Sequence, residues 1–151
     1  MVQAERRTID ILLVEDNAAD VRLAREALVE VKVPHHLHTV NDGEAALGFL
    51  RKAAPYADVP RPDLILLDLN IPKTHGLEVL KQIKNDPELF KIPVIVLTSS
   101  KAQEDVAASY GNYANSYVTK SVELEDYLRA MARLDDFWCT IAMLPSKEPP
   151  E

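Results

Sequence analysis

The polar residues that could do chemistry in this chain stand where apolar runs stop. Glu15 and Asp16 follow Ile9 to Val14, and Asp68 follows Leu64 to Leu67. Thr98 follows Ile92 to Leu97, and Lys120 follows Ala114 to Val118. Carboxylates crowded at one point repel one another, and a hard divalent cation with oxygen ligands relieves that repulsion. Mg²⁺ suits a site with few protein ligands and several waters. A lysine adds a compact charge of the kind that holds a phosphate oxygen. Carboxylate, cation, lysine and hydroxyl together are equipment for phosphoryl transfer to Asp68. The carboxylate attacks as nucleophile while the positive charges neutralise the equatorial oxygens. No glycine-rich phosphate loop is present, so ATP is not the expected donor.

This chemistry requires the ends of distant runs to meet. Leu64 to Leu67 shows no polar alternation, as expected of a strand covered on both faces in a parallel sheet. Ile9 to Val14 reads the same way apart from Asp10. Asn17 can cap a helix with Asp20 in its first turn and Val21, Ala24, Leu28 and Val31 on one face. His36 to Val40 forms a short second strand. Asn41 and Glu44 have capping-box spacing for a second helix running to about Lys52. The proline-bearing segment from Ala53 to Pro62 is a surface loop. A third helix is expected from about Leu77 to Asn85, then a strand from Ile92 to Leu97. Ser100 and Gln103 have capping-box spacing for a fourth helix. A fifth strand from Ala114 to Val118 and a long last helix from about Val122 complete the alternation.

Strands alternating with helices specify an α/β doubly wound domain, and right-handed crossovers leave few topologies. The expected architecture is a flavodoxin-like, five-stranded parallel sheet of order 2-1-3-4-5 with helices on both faces and an extended last helix. In that order the first and third strands are neighbours at the switch point. Glu15 and Asp16 then lie beside Asp68, with Thr98 and Lys120 on the flanking strand ends.

Composition narrows the possible functions. At 151 residues, 47% apolar and 27% charged, the chain is long enough for one well-packed domain, expected over 1–144 with a frayed tail at 145–151. A net charge of −7 argues against nucleic-acid binding. The apolar runs are too short for a membrane span and no signal segment opens the chain, so a cytoplasmic protein is expected. Cys139 is the single cysteine, which excludes an internal disulfide.

The ordered set Leu13-Val-Glu-Asp16, Leu66-Leu-Asp-Leu-Asn-Ile-Pro72, Gly76, Leu97-Thr-Ser-Ser100 and Tyr117-Val-Thr-Lys120 resembles the receiver domain of bacterial two-component response regulators. The resemblance runs from about Ile9 to Leu134. It implies that Asp68 accepts a phosphoryl group from a sensor histidine kinase. It also implies that Asp16 and Asp68 bind Mg²⁺, that Glu15 acts mostly through water, and that Asn70 offers its backbone carbonyl. Thr98 would close onto the phosphate and Tyr117 would rotate inward behind it, reshaping the face made by the fourth helix, fifth strand and last helix. Such a protein is no enzyme in the ordinary sense, although it assists its own phosphorylation and dephosphorylation. Val21-Arg-Leu23, Arg61-Pro-Asp63, Lys120-Ser121 and Phe137-Trp138 are more narrowly similar to stand-alone regulators that partner cyanobacterial phytochromes. Ser121 departs from the family, where proline follows the lysine. His75 stands at a position that is often acidic, and Tyr113 at one that is often glycine.

Other readings compete. A phosphorylation-independent pseudo-receiver would be a pure binding module, but Glu15, Asp16, Asp68, Thr98 and Lys120 are all in place. An aspartyl phosphatase needs a second carboxylate two residues after its nucleophile, and that residue is Asn70. His35, His36 and His38 resemble a metal cluster, yet strand alternation sends His35 to the opposite face from the other two. In the last helix, Leu134, Phe137, Ile141 and Leu144 form an apolar stripe beyond the one needed to pack on the sheet. That stripe is expected to be a partner face, with a homodimer favoured over folding back on its own domain.

Overall fold

The computed structural model describes residues 8–29, 34–98 and 116–119, with only the backbone of Thr98 and of 116–119. The element order is β1 (Ile9–Val14), α1 (Ala18–Val29), β2 (His35–Val40), α2 (Gly43–Leu50), β3 (Leu64–Asp68), α3 (Gly76–Lys84), β4 (Val94–Thr98) and β5 (Ser116–Thr119). The strands pair in parallel in the order β2-β1-β3-β4-β5. This is the flavodoxin-like arrangement expected from the sequence. The expected fourth helix and extended last helix fall on residues outside those described.

The central strands are mostly apolar because their two faces serve two cores. Ile9, Ile11, Leu13, Leu64, Leu66, Ile95 and Leu97 pack with Ala24, Ala27 and Leu28 of α1. Leu12, Val14, Ile65, Leu67, Val94 and Val96 pack on the other side with residues of α2 and α3. Alternating residues of one strand therefore point to opposite helical layers, which removes the polar alternation of a one-sided sheet. Deleting a fully buried leucine side chain such as Leu66 would cost roughly 2–5 kcal/mol.

Local signals account for most element ends. Asn17 caps α1, its Oδ1 accepting from the Asp20 N–H at 3.1 Å. The α2 cap differs from the expected one. Asp42, not Asn41, occupies the position, with Oδ1 accepting from the Ala45 N–H at 2.7 Å. Asn and Asp are nearly equal as caps, so their intrinsic preferences could not choose between neighbours. β4 begins at Val94 rather than Ile92. Ile92 is buried, but its N–H donates to Leu89 O at 3.0 Å, and Lys84 Nζ donates to Ile92 O at 2.7 Å. An apolar residue can thus extend a hydrophobic run while closing a turn outside the ladder.

At the opposite end of the sheet from Asp68, Asp63 ties β1 to β3. Its backbone N–H donates to Asp10 O at 2.7 Å and its Oδ2 accepts from the Asp10 N–H at 2.9 Å. Asp10, the polar exception in β1, has its Oδ1 3.0 Å from His38 Nε2 on the edge strand β2. The His38 ring also packs on Phe49, with centroids 5.6 Å apart.

Candidate functional site: an acidic cluster at the switch point

The acidic cluster follows from the register. Val14 pairs with Leu67, so the next residues along the two strands, Glu15 and Asp68, leave β1 and end β3 side by side. One ligand oxygen from each of Glu15, Asp16 and Asp68 lies within 4.8 Å of the others. Among the described residues this is the group of His, Cys, Asp and Glu side chains placed to hold a metal ion; the strand-2 histidines form no such group. Glu15 and Asp68 are buried at 2% and 1% exposure, while Asp16 is exposed. Two sheltered carboxylates and one facing solvent make an oxygen-only, half-open site that fits a hard divalent cation.

Backbone donors orient the buried pair. Asp68 Oδ1 accepts from the Asn70 N–H at 3.1 Å, and Glu15 Oε1 accepts from the Asn17 N–H at 3.2 Å. The Glu15 N–H donates to Val40 O at 3.0 Å, and the Leu69 N–H to Leu97 O at 3.3 Å, so both strand ends stay tied to their neighbours. A groove of about 350 Å³ opens beside Glu15 and Asp16, lined also by Ala18, Val21, Thr39, Val40, Asn41 and Tyr56. It leaves one side of the cluster open to solvent.

The sequence-derived residues divide clearly. Glu15, Asp16 and Asp68 come together, and Asn70 stands one residue into the loop after Leu69. Thr98 ends β4, next to Leu97, the register partner of Asp68, and Tyr117 pairs with Val96 across β4 and β5. The side-chain roles expected of Thr98 and Tyr117 lie outside the described residues. So do Lys120, Ser121, Tyr113 and the stripe of Leu134, Phe137, Ile141 and Leu144. His75 caps α3, its Nδ1 accepting from the Leu77 N–H at 3.1 Å. Sequence reasoning missed Tyr56, which enters the groove wall from the surface loop. It also missed Asp42 and Lys73, which join α2 to the loop carrying Asn70, with Lys73 Nζ 3.6 Å from Asp42 Oδ2. A lysine two residues before a helix-capping histidine carries no pattern that would have marked it.

Residues 11–132 match the response regulator receiver domain family. The chain is 47% identical over 136 residues to response regulator Rcp1 of Synechocystis sp., covering 90% of this chain and 92% of that protein. Among solved structures it is similar to the phosphorylated cyanobacterial phytochrome response regulator RcpA, with 48% identity, a TM-score of 0.81, and 93% and 100% of the two chains covered. The Mn²⁺-bound form of Rcp1 gives 46% identity and a TM-score of 0.80, covering 91% of this chain and 99% of that one. The bacteriophytochrome response regulator RtBRR gives 39% identity and a TM-score of 0.77, covering 95% and 85%. The chain belongs to the response regulator receiver domain family.

Proposed function

We propose that this receiver accepts a phosphoryl group on Asp68 from a sensor histidine kinase and passes the signal on through protein contacts. The observation that carries the reading is the gathering of Glu15, Asp16 and Asp68 oxygens within 4.8 Å at the ends of β1 and β3. An Asp68 carboxylate oxygen attacks phosphorus, and the bond from phosphorus to the donor imidazole nitrogen breaks as the new bond forms. When bound at Asp16, Asp68 and the Asn70 carbonyl, Mg²⁺ supplies positive charge to the transferring oxygens. Glu15 holds water at the same site. Lys120 pairs with a phosphate oxygen, Thr98 closes onto another, and Tyr117 follows it inward.

The likeness to phytochrome response regulators supports a phytochrome as the kinase partner. The apolar stripe from Leu134 to Leu144 supports a homodimer as the signalling form. Intact mass after incubation with acetyl phosphate and Mg²⁺, on wild type and Asp68→Ala, tests the reading. One added phosphoryl group on wild type is expected, absent without Mg²⁺ and absent in the variant. An unmodified wild type that still binds Mg²⁺ would leave a pseudo-receiver that works by contact alone.

A further inference from the structure

The loop between β3 and α3 follows directly on Asp68, the end of β3, and carries Asn70, whose N–H donates to Asp68 Oδ1. It is closed on itself at its base. The Gly76 N–H donates to Leu69 O at 3.3 Å, and a Cβ on Gly76 would lie 2.6 Å from Leu69 Cα. Its outer half leans on the first turn of α2. The Gly43 N–H donates to Pro72 O at 3.2 Å, and a Cβ on Gly43 would collide with Thr74 O. Between these two backbone contacts sits Lys73, with φ 67° in the left-handed region, where glycine would be free of strain. A non-glycine residue persists there when its surroundings hold it.

Asp42 stands within reach of the Lys73 side chain. Its Oδ1 is committed to the Ala45 N–H at 2.7 Å as the helix cap, while its Oδ2 lies 3.6 Å from Lys73 Nζ. Capping needs only one acceptor oxygen, which asparagine also offers. The second oxygen and the full negative charge serve the loop. The Asp42 side chain is 14% exposed and so fixed, whereas Lys73 reaches it from a side chain 61% exposed. From this arrangement we infer that Asp42 and Lys73 are positioning residues: their ion pair latches the β3–α3 loop to α2 and so sets Asp68 and the Asn70 carbonyl for the divalent cation. The inference rests on the phosphoryl-acceptor reading above, and assigns α2 a part in it.

Calorimetric titration with Mg²⁺ and amide hydrogen exchange over 69–76 would test the latch on wild type, Asp42→Asn, Lys73→Met, the double variant and Lys73→Gly. An ion pair with an exposed lysine is weak, so each single variant is expected to bind Mg²⁺ about threefold more weakly. The double variant should be no weaker than either single one, because the two side chains act as a unit. Exchange over 69–76 should quicken in all of them. Lys73→Gly separates positioning from stability: it relieves the backbone strain, so its unfolding midpoint should not fall, yet its Mg²⁺ affinity should. Single variants with wild-type Mg²⁺ affinity, or losses that add in the double variant, would overturn the latch. A wild type that takes up neither Mg²⁺ nor phosphate would instead sink the underlying reading, and the latch with it.

Discussion

The backbone N–H of Asn70 donates to Asp68 Oδ1 at 3.1 Å, so the loop leaving β3 turns back onto the carboxylate at its own base. Carboxylate orientation and loop conformation are therefore coupled. A change in one must be felt by the other, which is the local requirement for a switch.

Asp68→Asn keeps that acceptor and removes the charge. The fold should persist and no phosphoryl adduct should form. Relief of repulsion from Glu15 and Asp16 is expected to stabilise the metal-free protein by about 1 kcal/mol, raising Tm by roughly 2–4 °C in EDTA. Mg²⁺ at ten times its dissociation constant should stabilise wild type by about 1.4 kcal/mol and the variant by much less. Thermal melts with and without Mg²⁺ read both effects; a variant that melts below wild type in EDTA would contradict the crowding argument.

Gly76→Ala places a Cβ 2.6 Å from Leu69 Cα and 2.8 Å from Asp68 O. These are backbone atoms, so the start of α3 or the end of β3 must move. Overpacking of this kind costs roughly 1–3 kcal/mol. Urea denaturation should show that loss, and phosphorylation by acetyl phosphate should slow as well, because the displaced atoms adjoin Asp68. Unchanged phosphorylation kinetics would mean that α3 gives way and leaves Asp68 in place.

Asp63→Ala acts at the far end of the sheet. The 5% exposed carboxylate accepts the Asp10 N–H, and its removal strands that donor between β1 and β3. A loss of roughly 1–3 kcal/mol is expected from the unmet hydrogen bond. Mg²⁺ affinity and phosphorylation rate, set at the opposite strand ends, should stay within error of wild type. A fall in either would show that the two ends are coupled through the sheet.

Asp42→Ala removes the α2 cap as well as the partner of Lys73. About 1 kcal/mol should be lost by urea denaturation, against little for Asn41→Ala, because Asp42 and not Asn41 accepts the Ala45 N–H. Equal losses at the two positions would restore Asn41 as a cap.

How far the chain could be read before folding differs between kinds of feature. Strand cores were legible because burial on both faces demands apolar runs with little interruption; β1 spans Ile9–Val14, apolar but for Asp10. The acidic cluster was legible once the strand order was chosen, since a parallel sheet carries consecutive strand ends to one edge. Boundaries set by competition between similar neighbours were not. Asn41 and Asp42 are near-equal caps, and Ile92 is apolar whether it joins a ladder or closes a turn. Least legible were contacts between segments far apart in sequence: Asp42 with Lys73, Gly43 with Pro72 and Thr74, and Tyr56 beside Glu15 and Asp16. Residue type and spacing thus determined the strands and the carboxylates that stand at their ends. Only the tertiary structure decided which loops lean on one another, because such contacts follow from the path of the whole backbone and leave no period in the sequence.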